Sequence, residues 1–206
     1  GSIPAALNFS DRGFRTEKME EVISSVYIGI GYDFLSTYEI ELLAGREFSK
    51  EYGMDTANKF IVNEQVLKKI GITNPEDAIG TYYGSFNQQG DFEPGEIIGV
   101  VKDFHIKPLD KEIEPITFLL NKDWLEYITI RYETPNLPVF NDKIKSLWVS
   151  HFPHQAYNYF ILKDRYESLY IDESRMKNIL LLFTFLAIFI GCLGLFGRAA
   201  FVAQQK

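Results

Sequence analysis

Cysteine is nearly absent from the 206 residues: Cys192 alone, inside an uncharged run near the C-terminus. Residues 1–191 therefore offer no disulfide and no thiolate metal site. That lack accords with an oxidising extracytoplasmic compartment without requiring one. Clustered positive charge is missing too. The net charge is -7, and the stretch from Asp164 onward holds five Lys/Arg against four Asp/Glu, so the preceding part carries -8. A nucleic-acid surface replaces counterions with clustered cations, so that class of partner is excluded. Residues 1–20 hold no apolar h-region, and no secretory signal is expected there; the leading Gly1-Ser2 has the form of an expression scar.

Catalytic motifs are equally scarce. No G-x-x-x-x-G-K-[ST] occurs, so ATP is not bound by a P-loop. G-x-G-x-x-G before a helix, G-x-S-x-G and H-E-x-x-H are also missing. His151 and His154 flank Pro153, which denies them a common helix face, and they are expected to be loop residues, not metal ligands. Asp103, His105 and Asp110 follow a strong strand signal, but the spacing supplies neither nucleophile nor oxyanion donors. A polar strand-end turn is the expectation. The sequence thus predicts no catalytic residue, no cofactor and no metal.

What is present suits a folded domain: 24% charged and 46% hydrophobic residues, with 17 Phe and 12 Tyr. Val22–Ile30, Lys59–Val62, Thr81–Phe86, Glu96–Phe104, "ITFLL", "EYITIRYE" and "AYNYFILK" have the apolar runs or alternation of strands. Tyr32–Tyr38 suits a short helix, and Gly45 ends "IELLAG" as a turn. Asn63 is placed to cap a helix carrying Val66, Leu67 and Ile70 and stopped by Gly71. Asn74-Pro75 opens a one-turn helix. Leu137–Val149 is helical by its spacing, and the strand–helix–strand order over 126–162 resembles half of a split β-α-β sandwich. Two β-α-β units around a middle segment make the class α+β.

From Asp164 the pattern is helical to about Ala203 with no Pro to break it. Ile179–Gly197 has no charged residue, close to the roughly 20 residues needed to cross a hydrocarbon core of about 30 Å. Residues 179–203 are expected to be a transmembrane helix, with Arg198 snorkelling or facing protein. Gly191, Gly194 and Gly197 recur every third residue and would let another membrane helix approach closely. Residues 164–178 would form a stalk, its apolar stripe made by Tyr166, Leu169 and Tyr170. Lys163, Arg165, Arg175 and Lys177 precede the run and Arg198 and Lys206 follow, so charge does not fix the orientation.

Four stretches occur in order: "YDFLSTYEIELLAGREFS", "FIVNEQVLKKIGITNPEDAIG", "GEIIGVVKDFHIKPLDKEIEP" and "SLYIDESRMKNILLLFTFLAIFIGCLGLFGRAAF". Together they resemble the MacB/FtsX-like ABC transporter permeases over about residues 20–206, as a periplasmic core domain plus the following transmembrane helix. Arg198 departs from the apolar residue usual after "GLFG" in that family. The resemblance implies a porter-like subdomain within 1–163 and a second α+β subdomain inserted at about Arg46–Lys102. It implies a permease subunit in the inner membrane, with residues to about 178 outside the cytoplasm. A separate cytoplasmic ABC ATPase, a second permease copy and a periplasmic adaptor or cargo are the implied partners. Work would be transmitted mechanically through the stalk. A ligand-sensing ectodomain of a membrane-anchored signalling receptor is the alternative with the same pattern.

Overall fold

Between Ile23 and Ile30 every residue except Ser24 is buried, which requires a strand covered on both faces. This is β2, near the middle of a mixed sheet in a computed structural model that describes residues 10–17, 19, 21–53, 58–86, 91–107, 111–121 and 127–204. The other strands are β1 (Ser10–Thr16), β3 (Leu42–Gly45), β4 (Lys59–Asn63), β5 (Tyr83–Phe86), β6 (Phe92–Glu93), β7 (Glu96–Val101) and β8 (Ile116–Leu120). Their order is β3-β7-β4-β8-β2-β1-β5-β6. The pairs β2/β8 and β4/β7 are parallel and the others antiparallel. The chain divides into Gly1–Tyr157 and Asn158–Lys206.

Twist curls this sheet until β5 returns to β7. Tyr82 bridges Glu96, and three backbone bonds seal the approach: Tyr83 N to Gly95 O (2.9 Å), Ile97 N to Thr81 O (3.1 Å) and Gly80 N to Ile97 O (2.8 Å). The curl encloses a first core of Phe14, Tyr27, Phe60, Val62, Tyr83, Ile97 and Val100. Phe14 stacks on Tyr83 at 4.9 Å and meets Phe60 edge-on at 5.8 Å, the offset and T-shaped geometries that aromatic quadrupoles favour. The opposite face carries Val26, Ile28, Ile61, Ile98, Ile116 and Phe118, covered by Leu35, Phe48 and Ile106. Strand alternation assigns neighbours such as Phe60 and Ile61 to different cores.

Helices form where the caps are. Asn63 is fully buried, and its Oδ1 accepts from Val66 N (3.3 Å), starting α2 (Glu64–Ile70). The same oxygen accepts from Ile116 N at 2.9 Å, and its Nδ2 donates to Glu114 O at 2.9 Å. One amide therefore joins β4, α2 and β8. Gly71 closes α2 at φ +75 with its N–H on Leu67 O, as its sequence position predicts. Helices α1 (Phe34–Tyr38) and α3 (Pro75–Ala78, Pro75 in its first turn) also occur where expected. Gly45 ends β3 at φ +75, where a Cβ would sit 2.2 Å from Ile98 O.

Two predicted strands do not form. Residues 127–133 of "EYITIRYE" lie outside any strand and are exposed, and residues 156–161 of "AYNYFILK" are likewise outside any strand. Alternation gives a chain two faces but no ladder partner, and a strand is defined by both. The helix between them, α4 (Leu137–His151), forms and is capped by Asn136 on Val139 N, yet buries no residue. Strand β7 stops at Val101, short of Phe104, which turns to stack on Phe118 at 6.0 Å. Strand β1 was not expected, because "SDRGFRT" has only Phe14 as a large apolar residue. The α+β class stands, in one sheet: β4 to β7 come from within residues 46–102 and β1, β2, β3 and β8 from outside.

Asn63→Ala strips partners from three backbone groups at once. It is predicted to cost about 2–4 kcal/mol of unfolding free energy in urea titration. A loss below about 1 kcal/mol would mean that water replaces the amide at no cost.

Candidate functional site

Asp103 and its neighbours form a polar cluster where β7 meets α2. The Asp103 carboxylate accepts from Gln65 N (3.2 Å) and Gln65 Nε2 (2.6 Å), with Lys68 Nζ at 3.5 Å. Its own N–H donates to Glu64 Oε2 at 2.9 Å. Every contact ties the end of β7 to the first turns of α2. The carboxylate accepts from a backbone and an amide donor and so acts as a joint between the two elements. His105 lies two residues on, and Asp110 lies outside the described residues. At Asp103 the chain leaves β7 and its side chain ties back to α2.

His151 and His154 are exposed. The Nδ1 of His151 lies 2.9 Å from Leu147 O and 3.0 Å from Ser150 Oγ, within the last turn of α4. Among the described residues no group of three or more His, Cys, Asp or Glu is placed to hold a metal. A shallow depression of about 320 Å³ lies over the β5–β7 seam, lined by Asn58, Lys59, Gly80, Tyr82, Pro94, Gly95 and Glu96. Its two charged groups, Lys59 and Glu96, are paired with each other.

Inside the curl, sequence patterning missed a hydroxyl network. Tyr83 OH shares a hydrogen bond with Thr117 Oγ1 (3.0 Å), which shares another with Ser25 Oγ (2.8 Å). All three side chains are buried, and among the described residues no buried side-chain polar atom lacks a partner. Burial pushes the Tyr83 phenol well above its ordinary value, against a smaller opposing effect of its hydrogen bonds. Burial also raises Tyr27, opposed by the Arg12 guanidinium. Ser25 and Thr117 look like interruptions of apolar strands, and only the fold brings them to Tyr83.

The residues expected to couple motion all fall on α5 (Leu162–Gln204), 43 residues in one helix. Tyr166, Leu169 and Tyr170 are helical, and their side chains lie outside the description, so their stripe is untested. No added Cβ at Gly191 or Gly194 would meet an atom within 4 Å; the surroundings of Gly197 lie outside the description. Side chains described over 179–195 are exposed throughout, including Leu182 (67%), Phe185 (72%) and Leu195 (71%). Thr184, the polar residue of the run, returns its hydroxyl to Leu180 O at 2.8 Å and so hides its hydrogen-bonding capacity within the helix. Among the described residues no helix is long and apolar enough to cross a membrane. The uncharged stretch there, 179–195, rises about 26 Å against a hydrocarbon core of about 30 Å.

Neither a family model nor a curated protein matches the chain. Among solved structures it is similar to the extracellular domain of the noncanonical ABC-type transporter YknZ from Gram-positive bacteria. That match has 19% identity and a TM-score of 0.39, and covers 54% of this chain and 50% of that one. It is also similar to the periplasmic region of MacB from Actinobacillus actinomycetemcomitans, with 17% identity, a TM-score of 0.42, and coverage of 68% of this chain and 63% of that one. The chain thus spans less than two thirds of either.

The buried phenols set an alkaline limit. Their folded values lie above the ordinary 10.0, so below that pH both folded and unfolded phenols are protonated and the stability is intact. Above it the unfolded state ionises first, and stability falls as pH rises. Tyrosinate absorbance is predicted to show late-ionising phenols, Tyr27 and Tyr83 among them, that titrate together with loss of secondary structure. Smooth titration of every tyrosine in a chain that stays folded would contradict this.

Proposed function

We propose that this chain is the extracytoplasmic part of an ABC transporter permease subunit, anchored by α5 and acting without covalent chemistry of its own. The observation that carries this reading is the exposure of the apolar side chains of α5 over 179–195. A contiguous apolar surface of that extent is costly in water and marks a membrane or protein contact. The neutral sequence continues through Phe196 and Gly197, which extends the run toward a full hydrocarbon thickness. The four ordered sequence stretches support the permease class over other anchored domains. Asp103 and His151 support a non-catalytic role, because their polar atoms are engaged in holding local structure.

On this reading a separate cytoplasmic ATPase supplies the energy, and a second permease copy completes the assembly. Residues 164–178 form the lever. A continuous helix keeps its length because each turn is tied to the next, so displacement at one end reaches the other, whereas a flexible linker dissipates it. The 43 residues of α5 amount to about 65 Å of such a rod. Residues 179–203 lie in the bilayer, with Gly191, Gly194 and Gly197 against another membrane helix. Its product is movement of a domain outside the cytoplasm, used for export or release of a cargo there.

Ser168→Pro in the intact transporter tests the lever. Proline removes one internal hydrogen bond and clashes with the preceding turn. ATPase activity is expected to persist while export or release falls at least tenfold. Full retention of both would contradict the lever, and Ser168→Ala, which keeps the helix, is expected to retain both.

A further inference from the structure

The depression over the β5–β7 seam is built by three separate stretches of chain: Asn58 and Lys59 at the start of β4, Gly80 and Tyr82 before β5, and Gly95 and Glu96 at the start of β7. Backbone bonds fix its frame. Asn58 O accepts from Glu96 N at 3.0 Å, beside the bonds that Tyr83 N, Ile97 N and Gly80 N make across the seam. Gly95 has no room for a side chain, because a Cβ there would lie 2.2 Å from Asn58 O. A Cβ on Gly80 would meet nothing within 4 Å, so open space lies beside it.

Side chains of three chemical kinds meet there. Tyr82 is 37% exposed and packs against Phe92 at 5.7 Å, which holds its ring while part of its surface faces solvent. Asn58 is exposed at φ +51, a backbone conformation that asparagine adopts more readily than most residues. Its amide supplies both a donor and an acceptor. Lys59 and Glu96 form a part-buried ion pair, so the lining carries charged groups but no net charge.

We infer that this depression is a subsite for one ring of a neutral saccharide. A pyranose has an apolar C–H face that suits the Tyr82 ring, and hydroxyls that donate and accept as Asn58, Lys59 and Glu96 require. A charged ligand gains little, because each ionic group already has its counter-charge. An added peptide strand gains little either, because the backbone groups at the seam are spent on one another. A volume of about 320 Å³ is at the small end for ligand sites, which suits a single ring and an affinity in the millimolar range. Such a site requires nothing from α5 or a membrane.

The test is saturation-transfer NMR of the full chain in a detergent without a sugar headgroup. The probes are methyl β-glucoside, methyl β-galactoside and N-acetylglucosamine at millimolar concentration. At least one is expected to receive saturation at its ring C–H protons. Sorbitol, which has the hydroxyls without the ring, and glucuronate, which adds a charge, should receive less. Tyr82→Ala and Asn58→Gly should each weaken binding about tenfold, the first by removing the aromatic face and the second by removing the amide while keeping the left-handed backbone. Tyr82→Phe keeps the ring and should lose less than Tyr82→Ala. The inference is overturned if no probe receives saturation, or if sorbitol or glucuronate matches the best sugar. It is equally overturned if either weakening variant keeps the parent's circular dichroism and binds as tightly as the parent.

Discussion

The return of β5 onto β7 is the constraint on which the rest of the sheet depends. Without those backbone bonds the aromatic side chains of β1, β2, β4 and β5 would line an open groove, and Phe14, Phe60 and Tyr83 would face water. Closure turns the same residues into a core whose rings meet at 4.9 to 5.8 Å. It also makes the hydroxyls of Ser25, Thr117 and Tyr83 acceptable, since each polar atom finds a partner inside. Burying the three without one another would cost more than their packing returns.

In a body built this way charged groups hold elements together. Its carboxylates are used as joints: Asp103 fixes β7 to α2, while Glu41 and Glu96 neutralise Lys102 and Lys59. The proposed mechanical role accords with that use of charge. The lever proposed above needs an unbroken rod, and the 43 residues of α5 form one helix.

Much of the fold was legible wherever a local rule has a single solution. Asn63 before Glu64 and Gly71 after Ile70 fix the ends of α2, and Pro75 fixes the start of α3, because capping chemistry involves only near neighbours. Buried runs such as Ile97–Val101 and Ile116–Leu120 are strands because length and β-branching exclude the helix. Strand β1 escaped because Arg12 and Arg15 sit over the rings of Tyr27 and Phe92, so its polar residues cover apolar surface that no sequence window contains. Residues 127–133 failed in the opposite direction, since their alternation is real and their partner is not among the described strands. The hydrogen bond between Tyr38 OH and Thr129 Oγ1 was invisible for a related reason: residues some ninety positions apart meet there.

The most direct test of the anchored, non-catalytic reading uses the lone cysteine. Cys192 is exposed on α5, within the uncharged run. In sealed vesicles carrying the full transporter, a bilayer-embedded Cys192 is predicted to resist a charged, membrane-impermeant maleimide added to either side. It should react once detergent removes the lipid, or with an apolar reagent. Labelling from the aqueous phase of intact vesicles at the rate of a free thiol would contradict the account.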